Sequence, residues 1–272
     1  MSRARRRLAV PLVVSLALAA AGCGSGDDKG GTTSEGGDTR VRIAAASDLQ
    51  AALDDIVEEF NKQEPDVDVS ATYGSSGTFY TQLRNGAPFD LYLSADLTYV
   101  EQLVEAGEAD EADVFRYAVG RLVLWASHDS SIDVEQGLAG LDTADLQRLA
   151  IANPEHAPYG VAAVAAMKQA EVYDGVKDKL VLGENVAQAA EFASSGNAQA
   201  GIIALSLALT PELQERGAHA EIPLQSYPAI DQGGVVMPGA GDPEAAHAFR
   251  DFLTGDEGEA ILTRYGFYLP VS

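Results

Sequence analysis

The sequence predicts an α/β fold with largely parallel sheets, and two observations carry this prediction. Short apolar runs typical of strands, such as residues 41–46 and 90–95, alternate with segments whose apolar residues recur at helical spacing. In the first of these segments Leu49, Leu53 and Phe60 lie on one helix face. Strands that alternate with helices favour parallel sheets, because a parallel connection needs a crossover that a helix usually supplies.

The same alternation continues along the chain. Further strands are predicted at residues 66–73, 119–127, 149–152, 180–182, 201–205 and 233–237, and further helices at residues 79–85, 161–170, 186–192, 244–253 and 257–265. The part of the chain from residue 41 to 272 is long enough for one large domain or for two lobes.

The N-terminal segment predicts export. Arginines 3, 5, 6 and 7 precede the apolar run Leu8–Ala21, and Cys23 is the one cysteine of the sequence. This pattern predicts a lipoprotein signal peptide over residues 1–22, cut before Cys23, whose thiol then carries the lipid. The alternative is an ordinary secretory signal with an incidental cysteine, because Ala20 stands where leucine is more usual in such motifs.

The segment 23–40 predicts a flexible linker, because after Cys23 it has no apolar residue through Thr39. Signal and linker together predict an extracytoplasmic domain, held on the outer face of the cell membrane by the lipid at Cys23. Without residues 1–22 the formal charge changes from −23 to −27, because four arginines and no acids are removed. So acidic a chain argues against nucleic acid and anionic membrane surfaces as partners.

Four turns share one design, in which a strand ends and a helix begins with small or hydroxylated residues. They lie at residues 45–50, 74–78, 153–160 and 183–187. Ser47 with Gln50 three residues later matches a capping box, so Ser47 taken alone is most simply a helix cap. Helix starts carry free N–H groups and a partial positive charge, so several that meet at one point form an anion site without Lys or Arg.

The chain resembles the molybdate-binding proteins of bacterial ABC importers, a type II periplasmic solute-binding family. The sharpest shared motifs are Gly86-Ala87-Pro88-Phe89-Asp90 and Pro154-Glu155-His156-Ala157-Pro158, and the resemblance runs from about Val41 to Phe267. It implies two lobes with the ligand cleft between them, each a mainly parallel sheet flanked by helices. Residues 41–119 with 233–272 would form lobe one, and residues 120–232 would form lobe two.

The resemblance also implies a function. The protein would capture molybdate or tungstate and deliver it to an ABC permease with a cytoplasmic ATPase, as a monomer, without enzymatic activity and without a cofactor. Ser47 and Ser76 match the two serine ligands of the family, and Tyr159 and Val186 match positions that give backbone N–H groups. No metal-cation ligands are expected, because the four histidines are scattered along the chain.

One departure from the family concerns a tyrosine. Its Gly-Ile-Val-Tyr motif carries a hydroxyl that reaches the oxyanion, whereas this chain has Gly201-Ile202-Ile203-Ala204. Two hypotheses follow for Tyr159, which stands where the family usually has a small residue. Either its hydroxyl partly replaces the missing donor, directly or through an ordered water, or Tyr159 gives only its backbone N–H while its ring shields the cleft.

Three other functions remain open from the sequence. The same fold could bind sulfate or phosphate, although the proton of HPO₄²⁻ would need an acceptor that a ring of donors lacks. A lipoprotein hydrolase could use Ser76 as nucleophile with His156 as base, but no Gly-x-Ser-x-Gly elbow is present. A cell-surface interaction module with a vestigial cleft is the third.

Overall fold

The computed structural model describes residues 39–141 and 145–270. The predicted signal peptide 1–22, the predicted lipidation site Cys23 and most of the predicted linker 23–40 lie outside the described residues. The first strand begins at Thr39, two residues before the predicted start of lobe one.

The secondary structure alternates as predicted over most of its length. The strands are β1 Thr39–Ala46, β2 Val67–Gly74, β3 Leu91–Ser94, β4 Val114–Gly120, β5 Leu122–Ser127, β6 Leu149–Ala152, β7 Leu180–Gly183, β8 Ala200–Ala204, β9 Gly217–Glu221 and β10 Ile230–Val236. The α-helices are α1 Gln50–Gln63, α2 Ser76–Arg84, α3 Leu97–Glu105, α4 Pro158–Gln169, α5 Tyr173–Val176, α6 Val186–Ser194, α7 Leu205–Ala208, α8 Pro211–Arg216, α9 Pro243–Leu253 and α10 Asp256–Arg264.

The strands form two five-stranded sheets, which define two lobes. The first sheet has the order β2-β1-β3-β10-β4, and the second has the order β7-β6-β8-β5-β9. We call the first sheet with α1–α3, α9 and α10 lobe one, and the second sheet with α4–α8 lobe two. The chain passes from lobe one to lobe two between β4 and β5, at Arg121, and returns between β9 and β10. The single strand predicted at 119–127 is therefore two strands that belong to different sheets.

Both sheets are mainly parallel, as predicted, and each contains one antiparallel strand. The pairs β1–β2, β1–β3, β6–β7 and β6–β8 are parallel, whereas β10 and β5 pair with both of their neighbours antiparallel. The reason is the crossing between the lobes. β5 and β10 each enter a sheet directly from the other lobe, and each is inserted between two strands that run the other way.

Side chains alternate between the two faces along the strands of lobe one, which explains how helices cover both faces of its sheet. Leu91 and Leu93 of β3 pack with helices α1, α9 and α10, whereas Tyr92 between them packs with α2 and α3. Successive side chains of a strand point to opposite faces, so a run of apolar residues is buried on both sides. Lobe two has a core of its own around Trp125, Ile151 and Met167.

Asp90, the last residue of the Gly-Ala-Pro-Phe-Asp motif, holds lobe one together. Its carboxylate accepts hydrogen bonds from the backbone N–H of Arg42 at 2.7 Å, from the Arg42 guanidinium at 2.9 Å and from Gly241 N–H at 2.9 Å. Burial alone raises the pKa of Asp90, but the bonds from Arg42 and Gly241 outweigh it and the net pKa is lowered. The motif thus ties β1 to the loop between β10 and α9.

Candidate functional site

Four helix starts surround one small cavity between the lobes. Lobe one contributes the 3₁₀ turn Ser47–Leu49 and the start of α2, and lobe two contributes the starts of α4 and α6. The residues that line this interlobe cavity are Ala46, Ser47, Asp48, Gly74, Ser75, Ser76, Ala95, Ala157, Pro158, Tyr159, Asn185 and Val186. The structure therefore brings all four predicted ligand residues to one place, and no lysine or arginine is among these lining residues.

The cavity is small because the lobes are in contact. Its volume is about 10 Å³, roughly the room that the centre of one water molecule needs. Several hydrogen bonds join the lobes around it, including Gly77 N–H to His156 O at 2.9 Å and Ala187 N–H to Ser47 Oγ at 3.3 Å. A tetrahedral oxyanion would have to part the walls slightly, whereas a sugar or a peptide would require wide opening.

Ser47 is not a helix cap, which corrects the capping-box interpretation. The residue that precedes the 3₁₀ turn is Ala46, no side chain caps this turn, and α1 begins only at Gln50. The buried Ser47 hydroxyl instead accepts a hydrogen bond from the N–H of Ala187, in the first turn of α6 of the opposite lobe. Because Oγ accepts this bond, its own hydrogen remains for another acceptor in the cavity.

Ser76 is placed in a similar way at the first residue of α2. Its hydroxyl oxygen accepts a hydrogen bond from Ala95 N–H at 3.0 Å, and its carbonyl accepts one from the Tyr92 hydroxyl at 2.8 Å. Both partners belong to lobe one, so Ser76 is held in place without any contribution from the other lobe. Its hydroxyl hydrogen is likewise left for an acceptor in the cavity.

Tyr159 and Val186 lie in the first turns of their helices, as predicted from the turn chemistry. Pro158 is the first residue of α4, which makes Tyr159 the second, and Val186 is the first residue of α6. N–H groups at these positions have no acceptor within their own helix. Asn185 caps α6 by accepting a bond from Gln188 N–H at 3.0 Å, which fixes the helix start beside the cavity.

The Tyr159 hydroxyl is engaged with Asp48 in this structure, which favours the second hypothesis, that Tyr159 gives only its backbone N–H. The hydroxyl donates to the carboxylate of Asp48 at 2.9 Å. A phenol has one hydrogen to give, so it cannot also donate to an oxyanion. Burial and the nearby Asp48 raise the pKa of Tyr159 well above its ordinary value, so the phenol keeps its proton. Ala204 is buried at the end of β8 and offers no side-chain donor.

Asp48 is the residue of this site that the sequence reasoning missed. Its carboxylate is buried between the lobes and accepts from Tyr159 and from Gln232 Nε2 at 2.6 Å. Burial raises the pKa of Asp48 to about 6, against the opposing effect of these hydrogen bonds. The lining of the cavity therefore includes an acceptor, which weakens the argument that a donor-only ring excludes HPO₄²⁻. The one sequence signal was an acid directly after Ser47.

The structure does not place Ser76 and His156, the nucleophile and base of the hydrolase alternative, in contact. His156 lies against Ser75 rather than Ser76, with its Nδ1 2.9 Å from Ser75 Oγ. The Ser75 hydroxyl donates to the backbone carbonyl of His156, so it is bonded across the lobes and is not directed at the imidazole.

Over residues 39–141 and 145–270 no group of three or more His, Cys, Asp or Glu side chains is arranged to hold a metal ion. None of the helices described is both long and apolar enough to cross a membrane.

Two five-stranded lobes that meet over a small cavity lined by helix starts define a solute-binding protein of the periplasmic type. A family model described as bacterial extracellular solute-binding protein matches residues 41–268, and the chain belongs to this family.

Related proteins and a solved structure point to one branch of the family. The chain is 37% identical over 229 residues to molybdate-binding protein ModA of Azotobacter vinelandii, covering 84% of this chain and 90% of that protein. It is 41% identical over 199 residues to ModA of Rhodobacter capsulatus, covering 73% and 77%. The putative ABC transporter substrate-binding lipoprotein YvgL of Bacillus subtilis is 28% identical over 250 residues, covering 92% and 93%. The structure of the Azotobacter vinelandii periplasmic molybdate-binding protein matches with a TM-score of 0.79 at 29% identity, covering 85% of this chain and 100% of that one.

Proposed function

We propose that this protein captures molybdate or tungstate outside the cytoplasm and presents it to an ABC permease driven by a cytoplasmic ATPase. The observation that carries the proposal is the meeting of four helix starts, with Ser47, Ser76, Tyr159 and Val186, at one interlobe cavity. Such a cavity offers two hydroxyl donors and several backbone N–H groups to an anion. Its kinship with proteins named for molybdate selects this oxyanion among those that the geometry would suit.

The proposed role is binding without catalysis. An oxyanion held by neutral donors keeps its charge and its bonds, and neither Ser75 nor Ser76 is activated by a base in this arrangement. Sulfate and phosphate are the competing ligands on the same fold. Sulfate would be separated from molybdate by ion size, and the buried Asp48 carboxylate makes phosphate a ligand to be tested rather than dismissed.

We further propose that Cys23 carries a lipid that anchors the protein as a monomer to the outer face of the cell membrane. Support comes from the signal pattern of residues 1–22 and from the Bacillus subtilis relative, which is named as a lipoprotein. Within the folded part, lobe one would comprise residues 41–119 and 233–272, and lobe two residues 120–232, with the strand ends at Gly120 and at residues 230–232 paired in the sheet of lobe one. Cys23→Ser should abolish labelling of the protein by a radioactive fatty acid and release it from the membrane fraction; retention of label would contradict the assignment of Cys23.

Calorimetric titration of the soluble domain from residue 39 onward, stripped of bound anions, tests the proposed ligand. Molybdate and tungstate should bind with 1:1 stoichiometry, and both should raise Tm. A ligand that binds only the native state stabilises it by about 4 kcal/mol at a thousandfold excess over Kd. Sulfate and phosphate at the same concentration should do little. A Tm shift with either of them equal to that with molybdate would refute the selectivity.

A further inference from the structure

The Asp48 carboxyl collects hydrogen bonds from both lobes. Tyr159 of α4 donates to Oδ2 at 2.9 Å and Gln232 of β10 donates to the same atom at 2.6 Å, while Gln232 Nε2 lies 3.2 Å from the Tyr159 hydroxyl. The backbone carbonyl of Asp48 accepts a further bond from Ser206 Oγ of α7 at 2.7 Å. Tyr159 and Ser206 belong to lobe two, so these two bonds exist only while the lobes are closed.

The three side chains are packed against the point where the chain crosses between the lobes. A Cβ atom at Gly120, the last residue of β4, would lie 2.2 Å from the Tyr159 hydroxyl oxygen and 2.8 Å from Gln232 Nε2. Gln232 itself lies where the pairing of β10 with β4 shifts register. The cluster therefore occupies the space that a side chain at Gly120 would take, and it connects the crossing to Ser47, the neighbour of Asp48 in the chain.

We propose that Asp48 is a positioning residue for oxyanion capture, which clasps Tyr159 and Gln232 when the lobes close and so couples the crossing at Gly120 to Ser47. We call these three residues the Asp48 clasp. This inference rests on the proposed function, because it concerns how the same cavity closes on its ligand. Asp48 itself need not touch the oxyanion in this role.

The charge of the clasp gives it a pH dependence. The groups that face Asp48 from the elements packed on it are Tyr159, Gln232, Tyr117 of β4 and Ser206, and none of them carries a positive charge. Within the described residues, Oδ1 of Asp48 and Oε1 of Gln232 are buried without a hydrogen-bond partner. A proton on the carboxyl could be received by that amide oxygen if the Gln232 amide turned over. Closing the lobes on a charged Asp48 therefore costs more than closing them on a protonated one.

The sign of the effect follows from the two states. In the closed protein burial raises the pKa of Asp48 to about 6, whereas in an open cleft we expect it near the ordinary value of about 4. A raised pKa in the closed state means that protonation of Asp48 stabilises closure. This stabilisation is complete below about pH 4 and is lost as pH rises through about 6. Linkage then makes the affinity for molybdate roughly five- to tenfold higher at pH 5 than at pH 7.

Two substitutions at Asp48 should act in opposite directions. Asp48→Asn keeps an oxygen that accepts from Tyr159 and removes the charge, so at pH 7 it should bind molybdate at least as tightly as the wild type, with no dependence on pH. Asp48→Ala removes the clasp and should bind several-fold more weakly at every pH. Any effect of pH on the anion itself is common to all variants, so the difference between their pH profiles isolates Asp48.

Tyr159→Phe and Gly120→Ala test the other side of the clasp. Tyr159→Phe keeps the ring and the backbone N–H and should weaken molybdate binding several-fold, whereas Tyr173→Phe, a matched deletion in lobe two away from the cavity, should not. Gly120→Ala should weaken binding because its methyl group collides with the Tyr159 hydroxyl. Combining Tyr159→Phe with Asp48→Ala should cost little more than the Ala variant alone.

The experiment is calorimetry with molybdate at pH 5, 6, 7 and 8, together with small-angle scattering of the ligand-free proteins. If Asp48→Asn and Asp48→Ala weaken binding equally and leave the pH profile of the wild type unchanged, Asp48 is a structural residue only and the clasp is wrong. If the wild type binds no oxyanion, the proposed function fails, and scattering decides on the clasp separately. A larger radius of gyration for Asp48→Ala than for Asp48→Asn supports the clasp, and equal values overturn it.

Discussion

Ser47→Ala removes one hydroxyl from the interlobe cavity and separates two roles that the sequence alone assigns to this residue. If Ser47 serves the oxyanion, the substitution weakens molybdate binding and leaves the ligand-free protein stable. If Ser47 is a helix cap, it lowers the stability and leaves binding unchanged. The structure favours the first outcome, because the Ser47 hydroxyl contacts Ala187 of the opposite lobe and not its own helix.

The expected magnitude follows from the bonds that are lost. A hydrogen bond to a charged partner contributes about 1.5–3 kcal/mol. The second bond, from Ala187 N–H, is 3.3 Å long, at the outer limit of a useful N–H···O bond, so it adds little. The total corresponds to an increase in Kd of roughly 10- to 150-fold.

The stability of the ligand-free protein gives the second half of the test. Loss of a helix cap costs about 1 kcal/mol, which lowers Tm by roughly 2–4 °C in a domain of this size. Because no side chain caps the turn at Ser47–Leu49, we expect a smaller shift in Tm than this. Both quantities come from the same preparation, by calorimetric titration and by differential scanning calorimetry.

Ser195→Ala is the matched control, because it deletes the same atom at an exposed position just after α6. It should change neither Kd nor Tm. A Kd for Ser47→Ala within twofold of the wild type, together with a drop in Tm of 2–4 °C or more, would refute the reasoning and restore Ser47 as a cap.

Three further predictions concern other parts of lobe one. Ser76→Ala should weaken molybdate binding by about 1.5–3 kcal/mol in the same titration, for the same reason as Ser47→Ala. Gly77→Ala should raise Kd, because its Cβ would lie 2.7 Å from the His156 carbonyl oxygen of lobe two and hinder closure. Asp90→Asn should cost about 1.5–3 kcal/mol of unfolding free energy in a urea titration, since it removes the charge from a partly buried bond to Arg42. The lowered pKa of Asp90 means that its contribution is present above about pH 4 and is lost as pH falls further.

The sequence predicts the starts of α4 and α6 well because each of them has a local cause. Pro158 begins α4 since proline needs no N–H donor at the first helical position, and Asn185 caps α6 through Gln188 three residues later. Runs of apolar residues identify the strands whose side chains are buried on both faces of a sheet. The signals at Pro158 and Asn185 place two of the four helix starts that line the cavity, whereas no side chain caps the turn at Ser47 or the start of α2.

The parts that the sequence misses depend on partners far away in the chain. Ser47 followed by Gln50 satisfies a capping box, yet the hydroxyl of Ser47 bonds to Ala187, 140 residues away. The antiparallel insertion of β5 and β10 has the same origin, because a strand that arrives from the other lobe carries no local mark of its direction. Sequence patterns reflect interactions between residues close together in the chain. The closed state adds contacts between distant residues, which form only in the folded protein.

Two buried aspartates show why residue type alone cannot assign a role. Asp90 belongs to one of the motifs that most sharply mark the family resemblance, yet its role is structural. It bonds to Arg42, which helps to lower the pKa of Asp90, and this pair holds lobe one together. Asp48 follows Ser47 in the turn at residues 45–50, lies among neutral donors, and has a raised pKa between the lobes. An aspartate carboxyl stays charged when its partner is a guanidinium of the same lobe, as at Asp90. At Asp48 the partners are a phenol and an amide that meet only when the lobes close, so its protonation depends on pH and on the position of the lobes.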